Sequence, residues 1–411
     1  MVKSLMDEIG RGYLTLALNL NRHVEGFVDA YYGPPELKAE VQKGNPSSVE
    51  ALADDVRQLQ AAIAHSDYDP QRKEYLGLQV RAMAGLIRKL LGDELDFVEE
   101  VELYFDITPQ MLDEAVFEQI HADMDRLFPG GGSVLNRVAS WKKGVEIQSN
   151  RLLPVLELAV EETRRRTSIL FDLPRGEEVS LRLVEDEPWT AYNWYLGAYR
   201  SRIDANTDPP LRVDHPISLV THEAYPGHHT EHAVKEHWLY RQKGRAEHSV
   251  LLSLAPESVV SEGIAETAES MIFSPEELEA FLHDRLNPLA GLPDVGVAQQ
   301  MGWAKARDEL RVVGANAALL LHEHGRPPEE VREYMERYGL RTPREVAKGL
   351  EFIQNPLWRS YIFSYNMGKQ LLAPLLEGPD AVANFRRLLS EPFTPTQVRQ
   401  WIADRGADTA T

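Results

Sequence analysis

Residues 222–229 read HEAYPGHH, a histidine and a glutamate side by side with two more histidines close behind. In the pattern H-E-x-x-H, two histidines one helical turn apart hold a zinc ion and the glutamate between them works on water. Here the second histidine comes late. On an ideal helix His228, at i+6, lies roughly 120° around from His222, whereas His229, at i+7, returns to within about 20° but about 10.5 Å further along. Neither can share an ion with His222 on a regular helix, because a zinc–nitrogen bond is about 2.0–2.1 Å long. Pro226 and Gly227 stand between them. Proline has no N–H for the carbonyl four residues back, that of His222, and glycine accepts backbone angles that other residues avoid. A bulge is expected, and with Pro226 and Gly227 looped out the remainder reads His222-Glu223-Ala224-Tyr225-His228, an H-E-x-x-H. His222 and His228 are then candidate metal ligands, Glu223 is the candidate general base, and His229 is the alternative second ligand.

A catalytic zinc takes three protein ligands and keeps one position for water. The stretch SEGIAETAES (261–270) offers Glu262 and Glu266 at i,i+4, with Glu269 near the same helical face. Val259, Val260, Ile264, Ala265, Met271 and Ile272 make the surroundings apolar, where an unpaired carboxylate is costly. Glu262 as third ligand and Glu266 as acceptor for a ligating histidine's second N–H would satisfy both. Acyl transfer also needs a donor for the developing oxyanion. The run WRSYIFSYNMGK (358–369) offers Tyr361 and Tyr365 at i,i+4, with Arg359 and Lys369 close by. Arg200 and Arg202, ahead of the motif, are candidates for a bidentate grip on a substrate carboxylate, with Arg359 a further one. HEHG (322–325) puts two histidines on opposite sides of a helix just before a glycine and reads as a cationic helix end.

These groups need a scaffold, and the periodicity predicts a mainly helical one. Apolar spacing predicts an opening helix around Leu14–Leu20 and amphipathic helices over 47–64, 70–92, 109–128 and 149–170. Helices are expected again from about Pro216 through the motif, and over 257–271, 275–287, 295–323, 327–338, 342–353, 357–377 and 395–404. Between the two sets, 179–186 and 195–206 read as two short strands, a small antiparallel pair beside the motif helix. The turn signals YYGPPE, FPGGGS and FDLPRGEE are too short to be flexible linkers, so one domain is expected over 1–411, with a helical N-terminal part (about 1–173) and a metal-site part (about 174–411).

Composition narrows the partners. The 411 residues are 43% hydrophobic, enough for a substantial core, and carry 44 Lys plus Arg against 64 Asp plus Glu, a formal charge of -20. That balance repels nucleic-acid phosphates and anionic lipid. With no cysteine, any metal must be held by His, Asp and Glu. No apolar run approaches the roughly 20 residues that span a bilayer, and Asp7 and Glu8 are unlike a signal peptide, so a cytoplasmic location is expected.

HEAYPGHH followed by EGIAE resembles the bacterial domain-of-unknown-function 885 family, whose pattern is His-Glu-x-x-Pro-Gly-His and then Glu-Gly-x-Ala with an acidic residue. DAYYGPPEL (29–37), YRSRIDANTD (199–208) and SYNMGK (364–369) also look like elements of that family, so the likeness covers most of the chain. Ile264 departs from it, standing where an aromatic residue is common. The family is similar in fold to the carboxypeptidase Taq group of gluzincin zinc peptidases. The resemblance implies a large helical metallopeptidase-like fold, one Zn2+ ion, attack by activated water, and Tyr365 as the oxyanion donor; it supplies no substrate, and the reading adopted is a peptide, with carboxypeptidase-like attack at its C-terminal end expected by fold analogy alone. The rival readings are hydrolysis of a non-peptide amide at the same site, and a catalytically silent helical protein that binds metal or peptide.

Overall fold

The opening helix, Glu8–Asn21, starts where the Asp7 side chain accepts from the Gly10 N–H at 2.7 Å, and its leucine face is buried. Ser48 and Asp69 cap the next two long helices in the same way, Val49–His65 and Pro70–Leu90. Satisfying the free N–H groups of a first turn fixes where each helix begins. The structure is a computed structural model describing residues 6–187, 189–208 and 210–409, and it is mainly helical, as the periodicity predicts. Among the described residues no helix is long and apolar enough to cross a membrane.

Two apolar cores organise the chain. The first gathers side chains from Tyr13 to Val138 and again from Ala246 to Phe363, the second from Val145 to Val297 and from Leu372 to Val398. The chain therefore passes back and forth between them, and the boundary near 173 read from the sequence does not divide the cores. They meet on the glutamate helix, Pro256–Ile272, whose Val259 packs into one core and whose Val260 and Ile264 pack into the other. Gripped from both sides, this helix is a rigid mount for Glu262 and Glu266. The tyrosine helix, Ile362–Leu372, lies against it backbone to backbone. A Cβ on Gly263 would sit 2.6 Å from the Gly368 carbonyl oxygen, and one on Gly368 would sit 2.2 Å from that of Val259. Only glycine permits this approach, which carries Tyr361 and Tyr365 over the glutamates.

The strands depart from expectation. Instead of one antiparallel pair there are two sheets among the described residues. Strands β1 (Val28–Tyr31) and β5 (Val250–Leu252) pair antiparallel. The second sheet holds β2 (Glu178–Val184), β3 (Ala191–Gly197) and β4 (Arg200–Asn206) in the order β2-β4-β3, with β2 parallel to β4 and β3 antiparallel to it. The segment expected as one strand over 195–206 is folded back on itself at Ala198 and Tyr199, which have φ of 53° and 62°. A buried carboxylate far along the chain holds that turn. Glu236 accepts from the N–H groups of Ala198 and Tyr199 at 3.1 and 3.2 Å and from the Tyr195 hydroxyl at 2.6 Å. The hairpin leaves β3 as an edge strand beside the HEAYPGHH motif.

Two expected long helices are also divided. The segment 295–323 is broken after Glu309 and resumes at Val312, and the helix through HEAYPGHH is interrupted within the motif itself.

Candidate metal centre

The motif is a break between two helices rather than a bulge in one. Pro216–Glu223 ends at Ala224, the Tyr225–Pro226 peptide bond is cis, and His228–Lys235 begins directly after Gly227. The hydrogen bonds nevertheless record two looped-out residues. Gly227 N–H donates to the Thr221 carbonyl and Thr230 N–H to that of Ala224, each spanning six residues where an α-helix spans four. A Cβ at Gly227 would lie 1.9 Å from the His222 carbonyl oxygen, so the position admits glycine alone. Looping out Pro226 and Gly227 thus brings His228 beside His222, with ring centroids 4.8 Å apart.

The third partner comes from the glutamate helix. One ligand atom each from His222, His228 and Glu262 lies within 4.8 Å of the other two. His222 Nε2 is 3.5 Å from Glu262 Oε2, and His228 Nε2 is 3.7 Å from Glu262 Oε1. Ligands on a tetrahedral ion with bonds of about 2.0–2.1 Å stand about 3.3 Å apart, close to these separations. Glu262 Oε2 is buried and accepts no hydrogen bond. A buried carboxylate oxygen with no donor calls for a cation, and the donor set of two imidazoles and a carboxylate suits a zinc that keeps a place for water.

The outer partners leave the ligand atoms free. Ser261 donates to Glu231 Oε2 at 2.5 Å, so towards His228 Nδ1, 3.2 Å away, its oxygen accepts, which puts the ring proton on Nδ1 and the lone pair on Nε2. His222 Nδ1 lies 3.4 Å from Glu266 Oε1, and Arg311 donates to that same oxygen. Burial raises the pKa of the Glu266 carboxyl, but Arg311 and His222 outweigh it and hold the group well below the usual carboxylate range. Burial pushes the Glu262 carboxyl up to about 7, against the pull of His222. For His222 burial works to lower the pKa, yet Glu266, Glu223 and Glu262 together raise it to about 9. Three carboxyl groups, Glu262, Glu266 and Glu223, thus surround the place where the ligand atoms converge, as the rise in the His222 pKa records.

Glu223 sits next to the ligands and faces the same cavity, about 430 Å³ in volume. Burial raises its pKa, and the neighbouring His222 and the Asn193 backbone offset part of that rise. Asn193, on β3, donates from its side chain to the Glu223 carbonyl oxygen at 2.5 Å, which fastens the edge strand to the motif. Asp29 of β1 shares the cavity, its carboxyl pushed up to about 7 by burial and then by Glu223, and the Tyr192 hydroxyl donates to it. Tyr365 lines the cavity 6.5 Å from the His222 ring, and its hydroxyl makes no hydrogen bond among the described residues. Tyr361, passed over in favour of Tyr365 in the sequence, donates to Glu262 Oε1 at 2.7 Å.

Other candidates stay outside. Arg200 is solvent-exposed, Arg202 forks the Asp204 carboxylate on its own strand, and Arg359 forks Glu100. None of the three lines the cavity, because each guanidinium points elsewhere or already has its carboxylate. His229 is fully buried on the far side of the break, its Nε2 3.0 Å from Glu177 and its Nδ1 2.8 Å from Ser201, and is not part of the metal-competent group. Tyr225 and Arg164 converge on the same Glu177 carboxylate, a cluster that braces the break from behind. His322 of the HEHG stretch ends its helix and contacts the Ile353 carbonyl, away from the cavity.

No protein-family model and no curated protein matches the chain. Solved structures do. One described as "the putative lipoprotein from Colwellia psychrerythraea" superposes with a TM-score of 0.52 at 16% identity, over 90% of this chain and 70% of that one. A "putative lipoprotein of unknown function from Shewanella oneidensis" aligns at 12% identity with a TM-score of 0.48, over 89% and 76% of the two chains. At such identity the first likeness speaks to the fold alone.

Proposed function

We propose that this chain is a zinc-dependent hydrolase of peptides or small amides, with His222, His228 and Glu262 as metal ligands and Glu223 as general base. The observation that carries the reading is the convergence of three ligand atoms around the unpartnered Glu262 Oε2, inside a cavity that Glu223 also faces. A zinc ion at that point supplies Lewis-acid polarisation and brings the pKa of water towards about 7. Glu223 takes the proton from the attacking water and returns it to the leaving nitrogen, a task helped by a carboxyl whose pKa burial raises. Tyr365 turns an unengaged hydroxyl to the cavity and donates it to the oxyanion. Tyr361 is a positioning residue that fixes Glu262. Strand β3, an edge strand passing Glu223, presents main-chain groups against which an extended substrate can lie. The kinship with the domain-of-unknown-function 885 family, and through it with gluzincin peptidases, belongs to the same proposal, and the Pro-Gly break that restores H-E-x-x-H spacing supports it.

The test is digestion of a peptide library by the zinc-reconstituted protein and by Glu223→Gln. The variant keeps its metal and loses about 10²-fold to 10⁴-fold in rate. Equal cleavage by both proteins, or none by the wild type, overturns the proposal.

A further inference from the structure

The cavity continues past the metal cluster into a polar chamber that hydrolysis as described does not use. Glu257, five residues ahead of Glu262 on the same helix, stands about 7.5 Å along its axis at about 1.5 Å per residue. Glu257, Gln79, His248, His232, Lys235 and Glu231 all line this cavity. Lys235 Nζ donates to Glu231 Oε1 at 2.7 Å and to Glu257 Oε1 at 2.9 Å, so one ammonium is shared by two carboxylates and a negative charge is left over. His248 does not cancel it, because burial pushes its pKa down to about 4.

The wall of the chamber also holds polar atoms that nothing satisfies. Gln79 donates to the Tyr75 hydroxyl oxygen at 2.9 Å and approaches Glu257 Oε2 at 3.5 Å, which fixes the amide and commits its nitrogen. Its Oε1 is buried without a donor, and so is His248 Nε2 without a partner. Both residues are almost wholly buried, at 2% and 4% exposure. Glu257 keeps 18% of its side chain open. Buried polar atoms left unsatisfied in a folded protein are rare and ask for an occupant.

We propose that this chamber receives a positively charged nitrogen of the substrate, a primary ammonium or a guanidinium, against Glu257, Gln79 Oε1 and His248. The idea deepens the hydrolase reading and rests on it for what the occupant is part of. An anion is disfavoured because Lys235, the one cation lining the chamber among the described residues, is already shared between two carboxylates. An extended residue spans about 3.3–3.6 Å, so the chamber lies at least about two residues from the Glu262 cluster. The charged nitrogen is then either an α-ammonium near the scissile bond or a basic side chain beside it.

The experiment is calorimetric titration of the full-length, metal-free protein with n-butylammonium, n-butanol and n-butyrate, alongside a separate zinc titration. The ammonium binds at least about tenfold tighter than the alcohol, and the carboxylate binds weakest. Glu257→Gln and Gln79→Leu each weaken ammonium binding about tenfold without changing zinc affinity. Should Glu257→Gln fail to fold, Gln79→Leu, which leaves the Lys235 ion pairs intact, decides alone. N-acetyl-lysinamide against alanyl-alaninamide then separates a side-chain ammonium from an α-ammonium, the tighter binder identifying the source. Ammonium no tighter than alcohol, butyrate tighter than ammonium, or undiminished binding in Gln79→Leu overturns the proposal. Because these titrations use no metal, absence of zinc binding would count against the hydrolase and leave this result standing, and the reverse also holds.

Discussion

Nδ1 of His222 lies 3.4 Å from Oε1 of Glu266, a carboxylate that Arg311 holds in turn. The pair sets the imidazole plane and holds a proton on Nδ1, so that Nε2 is the nitrogen that faces Glu262. Glu266 lies one helical turn beyond Glu262, so a single rigid helix provides both the proposed ligand and the group that orients the proposed ligand His222.

Replacing that orienting carboxylate tests the relationship. Glu266→Gln weakens zinc binding by roughly 10-fold to 100-fold without abolishing it, read from competition with a chromogenic chelator. Unchanged affinity would mean that His222 is oriented by something else.

The Pro-Gly break makes a sharper claim about geometry. Gly227→Ala drives a methyl group into the carbonyls of His222 and Thr221, at 1.9 and 2.4 Å. The variant loses at least about 1–3 kcal/mol of stability in urea unfolding and binds zinc poorly even where it folds, because the ligands separate as the break opens. A variant as stable and as zinc-competent as wild type would refute the close contact.

The two tyrosines separate by readout. Tyr361→Phe removes the donor on Glu262 and lowers zinc affinity together with activity. Tyr365→Phe leaves zinc affinity alone and lowers kcat by about 10²-fold to 10³-fold, the scale of a lost oxyanion donor. The opposite pattern, with Tyr365→Phe losing metal, would exchange their roles.

What could be read from the sequence was local. His222, Glu223 and His228 fall within one interrupted turn, and Glu262 and Glu266 within one helical turn, so spacing alone related them. The helical segments with clear apolar stripes and cap residues, such as 49–65 and 70–90, were likewise legible. Long-range partners were not. Tyr361 meets Glu262 across 99 residues, and the sequence offered no reason to prefer it to Tyr365. Arg359 finds Glu100 across 259 residues, which removes it from the site for a reason no local pattern carries. Strands β1 and β5 have four and three residues, too few for an alternation to register. The turn at Ala198 and Tyr199 depends on Glu236, and neither residue is a usual turn former, so 195–206 read as a single strand.

Zinc content after reconstitution bears most directly on the metal centre. Metal-free protein is incubated with zinc, freed of excess, and assayed by elemental analysis for wild type, His228→Ala and His229→Ala. The convergence of His222, His228 and Glu262 predicts about one zinc per chain in wild type, near none in His228→Ala, and close to the wild-type value in His229→Ala, whose imidazole serves Glu177 and Ser201 instead. Wild-type protein holding less than about half an equivalent, or His228→Ala holding as much zinc as wild type, would contradict it.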